Sequence, residues 1–139
     1  MHHHQSSLRP NVIGVKVDCR DKNWPTARAD AALRALSHED KARAKELDLG
    51  KNQLHAVPES FLMLTNLEQL SLNNNQIERL PEWIGNITSL TMLEVTTNKL
   101  QTLPRSIGNL VKLEYLFSLS NNHLEALPSS MLKLTNLRM

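Results

Sequence analysis

The 139-residue sequence predicts an α/β solenoid, with short parallel strands on a concave side, irregular return segments on a convex side, and a helical cap at the N-terminal end. Three observations predict it. Leucine supplies 25 residues while aromatic residues reach only 4%. From Ala44 onward the apolar residues recur with a period of 23. Before that point the period is missing, and a short alternating apolar run and an alanine-rich helical stripe stand in its place.

The period defines four units. The first starts at Ala44 and carries Leu47, Leu49, Asn52, Leu54, Val57, Pro58, Phe61 and Leu64. The second starts at Leu67, with Leu70, Leu72, Asn75, Ile77, Leu80, Pro81, Ile84 and Ile87. The third starts at Leu90, with Leu93, Val95, Asn98, Leu100, Leu103, Pro104, Ile107 and Leu110. The fourth starts at Leu113, with Leu116, Leu119, Asn122, Leu124, Leu127, Pro128, Met131 and Leu134, and a fifth begins at Leu137.

The spacing has a physical reading. Leu70-Ser71-Leu72 alternates with the period of a strand, so both leucines point to one side and Ser71 to the other. Asn75 marks the turn, where its amide can satisfy backbone groups that a buried bend would leave unpaired. Pro81 ends regular structure and opens a loose return segment that closes on Ile84 and Ile87. A unit of this kind buries its apolar residues only against the next unit, so the units stack.

The pattern L-x-x-L-x-L-x-x-N-x-L over residues 44–139 resembles the leucine-rich repeat. The resemblance implies a leucine-rich repeat solenoid, and the leucine-proline spacing is similar to that of intracellular scaffold proteins and bacterial repeat proteins. It implies a protein or peptide partner, a non-enzymatic role in signal transduction and a cytoplasmic setting. A secreted effector acting in a host cytoplasm is the alternative setting, and the recognition arm of a larger ligase or kinase is the alternative role.

Residues 1–10, with Met1-His2-His3-His4 at their head, read as a disordered tag-like tail. Residues 11–43 read as the cap. Val12, Ile13, Val15 and Val17 predict one short strand in Asn11–Asp18, ended by Trp24-Pro25-Thr26. Thr26 is the expected N-cap of a helix whose stripe is Ala29, Ala32, Leu33 and Leu36. Ser37 with Asp40 predicts a capping box that restarts a short helix through Ala44. At the other end the chain stops just after Leu137, so the sequence is either a piece of a longer array or a chain that self-associates through its last unit.

Sixteen basic and fourteen acidic side chains leave a formal charge of +2, too little to make nucleic acid or an acidic membrane the main partner. No apolar run approaches the ~18–20 residues needed to span a bilayer. Phosphate loops, nucleophile elbows and paired metal-ligand spacings are missing, so no catalytic, cofactor-binding or metal-binding residue is expected. His38, His55 and His123 read as isolated surface residues. Arg20 beside Cys19 would lower the thiol pKa, but a small, partly buried cap residue is the preferred reading. Asn52, Asn75, Asn98 and Asn122 recur with the period and read as scaffold.

The candidate site is the concave face. One outward column reads Glu46, Gln69, Met92, Tyr115, and the other reads Asp48, Ser71, Glu94 and then Phe117 or Ser118. Solvation explains the polar members. Met92, Tyr115 and Phe117 together favour an interface centre, unless one of the rings turns inward. The fourth unit is also one residue longer than the others, with the extra residue between Leu116 and Leu119. A β-bulge inside the strand is expected there, breaking one rung and presenting Phe117 or Tyr115 outward. The face measures on the order of 300 Å² in projection, against ~800 Å² per partner in a standard interface, so a weak contact or a short peptide is expected.

Overall fold

A computed structural model gives the fold, and the described residues are 9–118 and 120–138. The tag-like reading of the first eight residues and the core position assigned to Leu119 lie outside them. Six three-residue strands, β1 (Asn11–Ile13), β2 (Lys16–Asp18), β3 (Glu46–Asp48), β4 (Gln69–Ser71), β5 (Met92–Glu94) and β6 (Tyr115–Phe117), form one sheet in sequence order. Two helices, α1 (Thr26–Arg34) and α2 (His38–Arg43), lie between β2 and β3.

The repeats stack as their spacing requires. From β2 to β6 the strands pair in parallel, and Val17, Leu47, Leu70, Leu93 and Leu116 face one another as register partners, each at most 5% exposed. Cys19, Leu49, Leu72 and Val95 form a second fully buried column. The asparagines bind the coils together. The Asn75 side chain donates to Leu49 O (2.9 Å) and Leu72 O (3.0 Å) and accepts from Leu54 N (3.0 Å). Asn98 repeats the arrangement one coil on, with Leu72 O, Val95 O and Ile77 N. Asn52 does the same with Cys19 O, Leu49 O and Trp24 N. Each amide thus satisfies a bend whose backbone could otherwise find no water.

The convex segments are more regular than the loose return expected. Each proline, Pro58, Pro81, Pro104 and Pro128, stands at the N-cap of a five-residue 3₁₀ helix. Proline favours that position because its fixed φ suits the approach to a helix and its missing N–H is not needed there. Each turn stops when the next apolar residue, Leu64, Ile87, Leu110 or Leu134, leaves helical geometry and enters the core.

The N-terminal segment departs from expectation in three ways. Asn11–Asp18 is a hairpin and not a single strand, because Gly14 at φ +61° reverses the chain and leaves Ile13 and Val15 exposed. Thr26 is not an N-cap. Extended Pro25 takes that position, and the Thr26 hydroxyl accepts from His55 N (3.1 Å) and Ala56 N (3.3 Å) in the first repeat. Cys19 is fully buried, and loss of water, helped by the charge of Asp18, pushes its thiol up to about 12. Burial agrees with the preferred reading but is complete; the alternative, a lowering by Arg20, is absent, since that side chain turns to Asp18 and Asp48.

The rest of the segment follows its pattern. Ala29, Ala32 and Leu33 are buried with Leu36 partly so, and the Ser37 hydroxyl accepts from Asp40 N at 3.0 Å. His38, His55 and His123 are all exposed. In the fourth coil only Leu134 of the expected return-segment core is buried, whereas Leu124 and Met131 are half-buried and Leu127 is 44% exposed.

Candidate protein-binding face

Because buried leucines alternate with outward residues, the register that stacks the core also aligns the opposite face. One row runs Lys16, Glu46, Gln69, Met92, Tyr115, and the other runs Asp18, Asp48, Ser71, Glu94, Phe117. All eight residues expected at the site, Glu46, Asp48, Gln69, Ser71, Met92, Glu94, Tyr115 and Phe117, fall in these two rows. None is buried.

Both aromatic rings face out. Tyr115 is 38% exposed and Phe117 42%, with their rings stacked 6° from parallel and their centroids 6.1 Å apart. No bulge is needed to present them, since β6 keeps full register with β5 through Glu94↔Phe117. The expected break inside the strand is therefore corrected. The extra residue is taken up after Phe117, where Ser118 is buried at 3% exposure in line with Val95. There Asn122 reaches back four residues to Ser118 O, whereas Asn98 reaches back three to Val95 O. Slack falls past the strand, so Phe117 keeps its place opposite Glu94; inside the strand it would have turned Phe117 to the other face.

The N-terminal half of the face is charged. Lys16 Nζ lies 3.3 Å from Glu46 Oε2. Arg20 sits between two carboxylates, 3.1 Å from Asp18 and 3.5 Å from Asp48. Its hydrogen bonds hold Asp18 below the ordinary carboxylate value. Asp48 goes the other way: burial raises it, although Gly50 N donates to its Oδ1 at 2.9 Å and Arg20 is near. A shallow groove of about 460 Å³ runs past Asp18, Arg20, Asp48, Ser71 and Glu94 along the C-terminal edge of the strands.

Lys16, Asp18 and Arg20 were not anticipated as part of this face. A signal was present: Lys16-Val17-Asp18-Cys19 has the same polar-apolar alternation as Glu46-Leu47-Asp48-Leu49, without the leucines. Among the described residues, no three His, Cys, Asp or Glu side chains form a group that could hold a metal ion. Among them, too, no helix is long and apolar enough to cross a membrane.

The family profile described as "Leucine rich repeat" matches residues 42–100, where the stacked asparagines and leucine columns have just been placed. The chain belongs to the leucine-rich repeat family. Leucine-rich repeat chains generally mediate protein–protein interaction. A leucine-rich repeat protein of Leptospira interrogans superposes with a TM-score of 0.66 at 34% identity, over 72% of this chain and 25% of its own. Internalin C2 of Listeria monocytogenes gives 0.62 at 27% identity, over 72% of this chain and 42% of its own. A second Listeria internalin, InlF, gives 0.59 at 27% identity, over 70% and 28%. This leucine-rich repeat chain thus spans less than half the length of each of these bacterial proteins. A comparison with curated proteins finds no match.

Proposed function

We propose that this leucine-rich repeat chain is a non-enzymatic interaction module that binds a protein or peptide through its concave face, centred on Met92, Tyr115 and Phe117. The observation that carries the reading is the exposed, stacked Tyr115–Phe117 pair on an otherwise polar sheet. Aromatic side chains open to water in this way lose apolar exposure only when something covers them. Six strands of three residues give about 240 Å² of sheet in projection, so the contact is weak or short unless rim loops join it.

A scaffold role in signal transduction and a cytoplasmic setting belong to the same reading; the second rests on the single cysteine of the sequence, which can form no intrachain disulfide. Exclusion of nucleic acid rests on the near-balanced charge. Self-association through the last coil is supported by two exposed leucines in it, Leu132 at 86% and Leu127 at 44%. The short coverage of its bacterial neighbours supports a second reading, in which the chain is the recognition part of a longer protein.

The test is a pull-down with the parent chain and a Tyr115→Ser/Phe117→Ser variant of equal melting temperature. A protein held by the parent should be lost by at least about tenfold from the variant, as expected when a hot spot is removed. Equal capture by both would place the contact elsewhere and end the concave-face reading.

A further inference from the structure

The two rows of the concave face do not balance their charges. Asp18, Glu46, Asp48 and Glu94 stand against Lys16, Arg20 and Arg138, one acidic side chain in excess. Lys16 is taken by Glu46, and Arg20 is shared by Asp18 and Asp48. Glu94 is left over: among the described residues its carboxylate has no hydrogen bond or ion pair. Its register partner on the next strand is Phe117, so the two side chains leave the same face from backbone positions ~4.8 Å apart, the Phe117 ring exposed. Arg138, which bridges to Tyr115, lies in the other row and on the far side of the rings from Glu94.

We propose that the Glu94–Phe117 position takes an arginine side chain of the partner, its guanidinium lying on the Phe117 ring and pairing with the Glu94 carboxylate. This rests on the concave-face reading and gives it a partner chemistry: a short basic segment carrying apolar or aromatic neighbours for Tyr115 and Met92. Arginine fits where lysine does not. Its planar cation extends the parallel stack of Tyr115 and Phe117 while its paired N–H groups meet a carboxylate two at a time. The surplus acidic charge at Asp18 and Asp48 favours further basic residues toward the N-terminal half.

A random peptide display library panned on the parent chain tests this, with Glu94→Gln, Phe117→Ser and Tyr115→Ser/Phe117→Ser as comparisons. All four proteins are first matched by thermal melting, which substitutions at these unburied positions should leave unchanged. Enriched peptides should share an arginine. Replacing it by glutamine in a synthetic peptide should weaken binding about tenfold on the parent, yet less than about threefold on Glu94→Gln. Lysine in its place should not restore the parent affinity.

Enriched peptides without arginine, or an equal loss on parent and Glu94→Gln, would overturn the arginine assignment. If those same peptides are still lost from Phe117→Ser, the concave-face reading survives. Peptides that bind the parent and the double variant equally, or no enrichment at all, would remove both.

Discussion

Thr97 holds a β-branched side chain at φ 53°, in the left-handed region that such residues avoid. Lys51, Asn74 and Asn121 occupy the same place in their coils, at φ 56°, 61° and 55°. Asparagine tolerates this conformation better, and Thr97 gains only a long 3.4 Å contact from Asn121 Nδ2 in return. Thr97→Asn is therefore expected to raise stability by about 0.5–1 kcal/mol, read as a higher urea midpoint at unchanged slope. An unchanged or lower midpoint would mean that the turn relaxes around threonine at little cost. The two acidic neighbours on the concave face respond to pH in opposite senses. Asp18, lowered by Arg20, contributes stability above the ordinary carboxylate value that is lost as pH falls through its folded value. Asp48, raised by burial, favours the protonated form in the folded state, so its charge works against folding at neutral pH. Asp48→Asn keeps an acceptor for Gly50 N and removes that charge. It should melt above the parent at pH 7, with the gap closing as pH falls below the folded Asp48 value. A gap that persists at pH 3, or a lower melting temperature at pH 7, would show that the Arg20 pair outweighs burial.

At the scale of elements, the convex turns stack through small residues. Ser106 Oγ donates to Glu82 O and Ser130 Oγ to Arg105 O, both at 2.6 Å, linking the last three turns. Glycine makes this approach possible, since a Cβ on Gly108 would lie 2.5 Å from Ser130 O, and one on Gly85 2.6 Å from Ser106 O. These are backbone atoms that cannot step aside without moving a coil. Gly108→Ala should cost about 1–3 kcal/mol in chemical denaturation, whereas Leu132→Ala on the exposed side of the last turn should change stability by no more than about 0.5 kcal/mol. Equal effects would show that the turns slide freely. The repeats were legible because leucine, asparagine and proline each return for a physical reason, and four copies reinforce one another. The hairpin was not: Val12 to Val17 alternates as one strand would, and only the φ of Gly14 separates β1 from β2. Thr26 was misread because serine and threonine suit an N-cap in general, while the preceding proline here already fixes the entry to the helix.

For the whole molecule, the aligned rows of the concave face followed from the period, so all eight expected residues share one surface. What the period could not show was which charges cancel. That depends on β2 joining the sheet, and its residues resemble a repeat in alternation but not in composition. It also could not place the extra residue of the fourth coil, because a one-residue excess fits before or after Phe117 until the pairing of Phe117 with Glu94 decides. The reversed strand at the N-terminal edge carries a final consequence. A stack of parallel strands has a polarity, and two open ends of matching polarity let copies add head to tail into a filament. Here β1 runs against every other strand, so another copy arriving at that edge meets a strand of the wrong direction. Growth by parallel addition is blocked at one end.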